Sequence, residues 1–342
     1  MSAPAPAGSV APRVLVVGAG ISGIACAREL SAAGVQVQVR DRGRRAGGRL
    51  GSRTLDLPGG GRHVVDTGAA YLTARDPEFS AVVADWAERG LARPWTDTFA
   101  VLHPDGAREP TTGPQRWAAP QGLRTLVDDL AGDLDVVHGA TVRSVDLVEG
   151  RPAADGEPVD AVVLAMPDPQ AGRLLAAGGE LPAVRARLAQ RWEAVITVYA
   201  LWQQRWWPDL DAAFVADDPL LSLVADDGRR RGDGAPVLVA HSTAEAAAEH
   251  LGDPDALVAP VLERLGALLG GGAAVPPPVT ASAHRWSFAS PVRPHEEPHL
   301  LTPAGRGLLG VCGDGWGERP RVEQAWRSGT DLGRALAERL AA

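Results

Sequence analysis

The sequence predicts an α/β protein whose N-terminal part is organised around a parallel sheet, and three observations carry that prediction. Residues 14–17 form a short, uninterrupted apolar run, the pattern of a strand buried on both faces. A glycine-rich turn then leads into a helical stretch over 21–33, closed by Gly34 as a C-terminal cap. Val35, Val37 and Val39 next alternate with Gln36 and Gln38, as in a strand with one buried face. Strand, glycine turn, helix and strand in this order make a βαβ unit.

Downstream the pattern is less regular. Residues 42–62 are rich in Gly and Arg and predict loops, and 76–90 predict a helix. Residues 94–120 carry Gly, Pro and Thr and predict short strands and turns. A helix is expected over 123–130, two strands within 134–148, and a buried strand over 161–165. Residues 195–201 read as a strand that runs into the tryptophan-rich segment 202–207, and 237–240 as another strand. Residues 255–269 have the period of an amphipathic helix, ended by the glycine run 270–272, and Pro276 to Pro278 form a stiff connector. A late strand over 308–312 precedes Gly313-Asp314-Gly315, and a final helix starts near Val322. No internal repeat stands out.

Composition narrows the class. A chain of 342 residues has room for about two domains. The net charge is −8, and the densest basic segments are only 42–49 and 229–231, which argues against nucleic acid as a partner. The chain contains neither Lys nor Asn, so all 34 basic residues are Arg and no mechanism here can use a lysine. Two cysteines, Cys26 and Cys312, suit a reducing cytoplasm better than a disulfide framework. Residues 1–13 read as a short disordered lead and not a signal peptide, and no apolar run is long enough to span a membrane.

The chemistry begins at the glycine turn. Gly18, Gly20 and Gly23 fit the G-x-G-x-x-G spacing of a Rossmann-type dinucleotide site. Gly18 allows the tight turn, Gly20 lets a pyrophosphate approach the backbone, and Gly23 lets helix and strand pack closely. The helix N-terminus offers free amides and a positive dipole end. Asp41, at the end of the second strand, can accept from ribose hydroxyls.

Gly47-Gly48-Arg49, six residues beyond Asp41, turns this general signature into a particular one. The stretch resembles the extended FAD signature of the glutathione-reductase-type flavoproteins, in the branch that includes amine oxidases. In that branch the glycines clear space for the pyrophosphate and the arginine holds it. The late Gly313-Asp314 resembles the family's second signature, whose Asp contacts the ribityl or pyrophosphate region. The helix from Val322 would face the flavin N1–O2 edge, and Val142 matches the position whose backbone meets the adenine.

Within that family the chain resembles the renalases. Residues 64–73 (VVDTGAAYLT) look like the segment that runs beside the flavin, and 117–130, 161–169, 237–243, 284–286 and 310–316 fall in renalase order at similar spacing. The resemblance implies a fold similar to p-hydroxybenzoate hydroxylase: a Rossmann-type FAD-binding domain (1–74, 121–168 and 281–342) and a substrate domain of mixed sheet and helices (75–120 and 169–280). It implies non-covalent FAD held by Gly18, Gly20, Ile21, Ser22, Gly23, Asp41, Arg42, Gly48, Arg49, Gly68, Ala70, Tyr71, Val142, Gly313, Asp314 and Val322. It implies oxidation of 2- or 6-dihydroNAD(P), with hydride passing to flavin and dioxygen reoxidising it to give hydrogen peroxide.

His241, Trp286 and Tyr71 are the pocket residues this reading selects. His241 could bond a substrate carboxamide, Trp286 could wall the pyridine ring, and Tyr71 could pack beside the isoalloxazine. The plainer alternatives are a strand-end histidine, core packing and a buried strand tyrosine. His284 and Arg285 could equally be solvated. The relatives' Trp-Ser after the equivalent of His241 is missing, since Thr243-Ala244-Glu245 stands there. Amine oxidases typically place a Lys at flavin N5, and this chain has none. An amine oxidase or another metabolite dehydrogenase is the enzymatic alternative, and a binding protein of the GDP dissociation inhibitor kind the non-enzymatic one.

Overall fold

The computed structural model describes residues 11–57, 60–175, 179–271 and 274–342. Most of the lead expected over 1–13, and the last glycine of the run 270–272, lie outside the described residues.

The predicted βαβ unit opens a six-stranded sheet in the order Leu300–Ala304, Gly307–Val311, Ala161–Leu164, Arg13–Val17, Gln36–Asp41, Asp135–His138. All neighbours are parallel except the antiparallel hairpin of the first two strands. Alternate residues of the central strands serve two cores, as the two-residue period of a strand requires. Val14, Val16, Val39 and Val163 pack with helices Ile21–Ala32, Pro77–Glu88, Arg124–Ala131 and Val322–Ala341. Leu15, Val17, Val162 and Leu164 face the other way, towards the small sheet 145–158 and the helices Asp168–Leu174 and Pro182–Arg187. Helix Pro77–Glu88, expected in the substrate domain, buries Phe79, Val83 and Trp86 in the first of these cores.

The last helix lies almost in contact with the first. A Cβ on Gly329 would fall 1.9 Å from the Ser22 carbonyl oxygen, and one on Gly333 2.7 Å from that of Cys26. No described helix is long and apolar enough to cross a membrane.

A second sheet has seven strands, in the order Thr280–Pro291, Trp192–Leu201, Val237–Ser242, Leu221–Asp226, Ala212–Val215, Arg93–Leu102, Arg108–Ala118. Helix Val258–Leu269 covers one face, where Trp202, Trp206 and Trp207 also pack, with ring centroids 5.4–5.6 Å apart. The tryptophan-rich segment is therefore core. The hairpin Ser52–Asp56/Arg62–Asp66 sets Val65 and Leu55 on the opposite face, against Tyr199, Leu201, Val237 and Val239.

Several expectations change here. Residues 42–62 are not loop throughout: Gly48–Leu50 form a 3-10 turn, followed by the strand Ser52–Asp56. Residues 94–120 form a hairpin of ten- and eleven-residue strands, not short ones. Pro110 and Pro114 are tolerated because Arg108–Ala118 is an edge strand, where a missing N–H need not break a ladder. The strand Thr280–Pro291 is the other edge of the seven-stranded sheet, although a boundary at 281 was expected to open the last cofactor-domain segment.

Candidate active site

The glycine turn shows why each glycine is needed. Gly18 has φ +109°, and a Cβ there would sit 2.5 Å from the Ala165 carbonyl oxygen. A Cβ on Gly23 would sit 2.0 Å from the Gly18 oxygen, so helix and strand could not close. Gly20 differs, with no atom within 4 Å of a would-be Cβ. It caps a helix that has no side-chain cap, and its neighbours Ile21 and Ser22 are buried in the first turn. Asp41 accepts from the amides of Ala19 at 2.7 Å and Gly43 at 2.6 Å, which ties the turn to the second strand. Arg42 is exposed. Val142 is buried in the core that contains Leu15 and Val17.

The second cluster is built from both ends of the chain. The Gly47 amide bonds Ala19 O at 2.8 Å, and a Cβ on Gly48 would sit 3.4 Å from Gly20 Cα. Gly68 passes so close to Arg49 that a Cβ would lie 1.9 Å from its carbonyl oxygen, and the Ala69 amide bonds that oxygen at 3.0 Å. Arg49 Nη1 reaches Asp314 Oδ2 at 2.9 Å and Ala289 O at 3.1 Å, and Nη2 donates to the other Asp314 oxygen. The two residues expected to hold a cofactor separately thus hold each other. The Gly313 amide bonds Ser328 Oγ at 3.1 Å, and Val322 opens the final helix without a side-chain cap.

The third cluster lies on the sheet face opposite the tryptophan core. Strand register puts His284, Thr197, His241, Leu223 and Phe214 directly opposite one another across five strands, so they share a face. Trp286 stands opposite Val195, and its Nε1 donates to Thr67 O at 2.6 Å. Its ring lies against Gly51 and Gly68, and His284 meets it edge-on with ring centroids 4.5 Å apart. Tyr71 joins Trp95, Phe99 and Phe214 in an aromatic cluster, with the Arg116 guanidinium 3.9 Å from the Phe99 ring centre. His241, Trp286 and Tyr71 thus lie along one face of the sheet, Trp286 at its edge beside Gly68 and Tyr71 towards Phe99 and Phe214. His284 is half-buried, whereas Arg285 is exposed and donates to Leu251 O. Thr243 caps the helix Ala244–Glu249, its side chain accepting from the Ala246 amide.

Two imidazoles here are kept neutral. Burial, helped by the charge of Arg230, pushes His241 down to about 4. Burial, with Arg53 and Arg285, pushes His284 down to about 4 as well. Between that value and the ordinary 6.5 the unfolded chain binds a proton that the folded chain does not. Their stabilising contribution is therefore complete above the ordinary pKa and is lost as pH falls towards 4. Urea midpoints should drop over that window. His241→Gln should flatten the slope by at most ~1.4 kcal/mol per pH unit. An unchanged slope would mean that His241 titrates normally in the folded state.

Sequence reasoning missed the buried charge cluster behind this face. Asp227 is fully buried and accepts from Arg230, from Arg231 Nε at 2.9 Å and from His63 Nε2 at 2.8 Å. Arg231 also reaches Asp66 at 3.1 Å, and Arg230 Nη1 donates to Ala70 O at 2.8 Å. The basic segment 229–231 is thus largely internal. The signal was the i, i+3 and i, i+4 spacing of Asp227 to Arg230 and Arg231 on one short helix. Among the described residues no group of three or more His, Cys, Asp or Glu is placed to hold a metal.

The chain is similar to known proteins over most of its length. Residues 16–86 match the NAD(P)-binding Rossmann-like domain, and residues 102–335 match the flavin containing amine oxidoreductase family. Among solved structures, the cyclohexylamine oxidase from Brevibacterium oxydans IH-35A superposes with a TM-score of 0.73 at 14% identity, covering 97% of this chain and all of that one. Wild-type putrescine oxidase bound to putrescine superposes with a TM-score of 0.64 at 17% identity, covering 97% of this chain and 99% of the other. A flavin dinucleotide suits the residues present. Gly20 leaves open space before an uncapped helix, Gly48 closes on it, and Arg49, the next residue, pairs with Asp314 from the other end of the chain.

Proposed function

Because the chain belongs to the flavin-containing amine oxidoreductase family and is an FAD-dependent oxidoreductase, we propose that its substrate is a dihydropyridine nucleotide, 2- or 6-dihydroNAD(P). When bound, FAD supplies a two-electron acceptor for hydride. The observation that carries this reading is the character of the sheet face. It is polar but uncharged at His241, and Arg230 lies close enough to lower the His241 pKa. An ammonium substrate would gain nothing from Arg230, whose charge the buried Asp227 balances. The nearby carboxylates Asp66 and Asp227 are already taken by Arg231 and Arg230.

Loss of hydride from a dihydropyridine restores aromaticity and leaves no proton to remove, so the site needs orientation more than a base. Trp286, fixed by its bond to Thr67 O, provides a rigid wall, and His241 a polar contact. No lysine is required, and none exists. Dioxygen is the proposed final acceptor, with hydrogen peroxide as its product, and the two free, buried cysteines suit a cytoplasmic location.

One observation favours amine oxidation instead: Tyr71, Trp95 and Phe99 form an aromatic wall of the kind that can hold an alkylamine. Anaerobic mixing separates the two. The flavin absorbance band should bleach with 2- or 6-dihydroNAD(P) and persist with primary amines and diamines. Bleaching by amines alone would replace the proposal with its rival.

A further inference from the structure

Thr197 stands between the two neutral imidazoles. It is directly opposite His241 on one side and His284 on the other, and it is fully buried. Neighbouring strands are about 4.8 Å apart, so the short threonine lies on the floor between two longer side chains. Its Oγ1 has no hydrogen-bond partner among the described residues, and neither has His241 Nε2. A buried polar atom without a partner is destabilising, so two such atoms on neighbouring residues of one face are expensive to keep unless something else satisfies them.

The two groups are complementary to one kind of ligand. A hydroxyl donates one bond and accepts others, and a neutral imidazole nitrogen donates or accepts according to its tautomer. A primary carboxamide presents a carbonyl acceptor and an N–H donor side by side, and can satisfy both groups at once. An alkylammonium only donates, so it would leave the threonine proton unpaired. Resting on the dihydropyridine reading above, we infer that Thr197 is a specificity-determining residue that, together with His241, holds the carboxamide of the substrate's pyridine ring.

Nicotinamide and 3-methylpyridine are the probes, titrated into the FAD-loaded protein and followed by the change in the flavin spectrum. They share the ring and differ in the carboxamide. Wild type should prefer nicotinamide, and Thr197→Val, which keeps the shape and removes the hydroxyl, should lose about tenfold of that preference. Thr197→Ser should retain it, and Thr197→Ala carries the same test if the valine variant does not fold. No preference in wild type, or one unchanged in both hydroxyl-free variants, overturns the inference. Reduction by 2- and 6-dihydroNAD(P) is scored separately. A nicotinamide preference that depends on Thr197, without bleaching by either nucleotide, would leave the inference standing and remove the proposed reaction. Bleaching with an unchanged KM in Thr197→Val would do the reverse.

Discussion

Gly20→Val should give a folded protein that has lost its flavin, whereas Gly23→Val should give no folded cofactor domain at all. The two glycines belong to the same motif but fail for different reasons. At Gly23 a side chain would start 2.0 Å from the Gly18 oxygen and 2.9 Å from Ala165 Cβ, so the first helix could not seat on its strand. At Gly20 nothing of the protein lies within 4 Å, so the apoprotein has no clash to relieve. The added methyl groups would occupy the space in front of the helix amides, where the pyrophosphate belongs. Overpacking alone costs about 1–3 kcal/mol, or roughly ten- to a hundredfold in affinity, and lost amide bonds add to it. The flavin-to-protein absorbance ratio after gel filtration, with circular dichroism on the same fractions, reads both outcomes. A Gly20→Val protein that keeps its flavin would show that the cofactor does not pass over this residue.

Asp227→Ala should be the most damaging single change outside the glycine motif. It leaves Arg230 and Arg231, both buried, facing each other without the carboxylate they share. Breaking a buried ion pair by removing one partner costs about 3–5 kcal/mol, a large part of the 5–15 kcal/mol that holds a typical domain together. The control is Arg89→Ala. Arg89 pairs with Asp85 and Asp129 at a surface where its side chain is 44% exposed, so its loss should cost less than about 1 kcal/mol. Urea unfolding of both variants gives the comparison. Equal, small losses would mean that the buried cluster is solvated or already compensated.

The parts of the fold that could be read from sequence are those in which one strong pattern decides. Val14 to Val17, the glycine turn and the alternating Val35, Val37 and Val39 each follow one rule, and the structure keeps them within a residue or two. The strand Thr280–Pro291 obeys no such rule. It is an edge strand with Ala, Ser, His and Trp side chains that are nearly all partly buried, so apolar and polar positions do not alternate cleanly. The hairpin Arg93–Leu102/Arg108–Ala118 was obscured by prolines that matter only inside a sheet. Site residues follow the same division. Arg49 and Asp314 sit in recognisable motifs, but their mutual bond, across 265 residues, has no local signature. Thr197 is one threonine in an apolar strand, and only the register of its two neighbouring strands gives it a place between His241 and His284.

The close seat of the helix Val322–Ala341 on the helix Ile21–Ala32 has a consequence for biosynthesis. The face of the first helix at Ser22 and Cys26 emerges from the ribosome early but meets Gly329 and Gly333 only after some three hundred more residues have been translated. Arg49 waits 265 residues for Asp314. The nascent dinucleotide unit is thus an open half-site with an uncovered apolar surface. Contacts so far apart in sequence are slow to form, which makes this interval the one in which the growing chain most needs protection from aggregation.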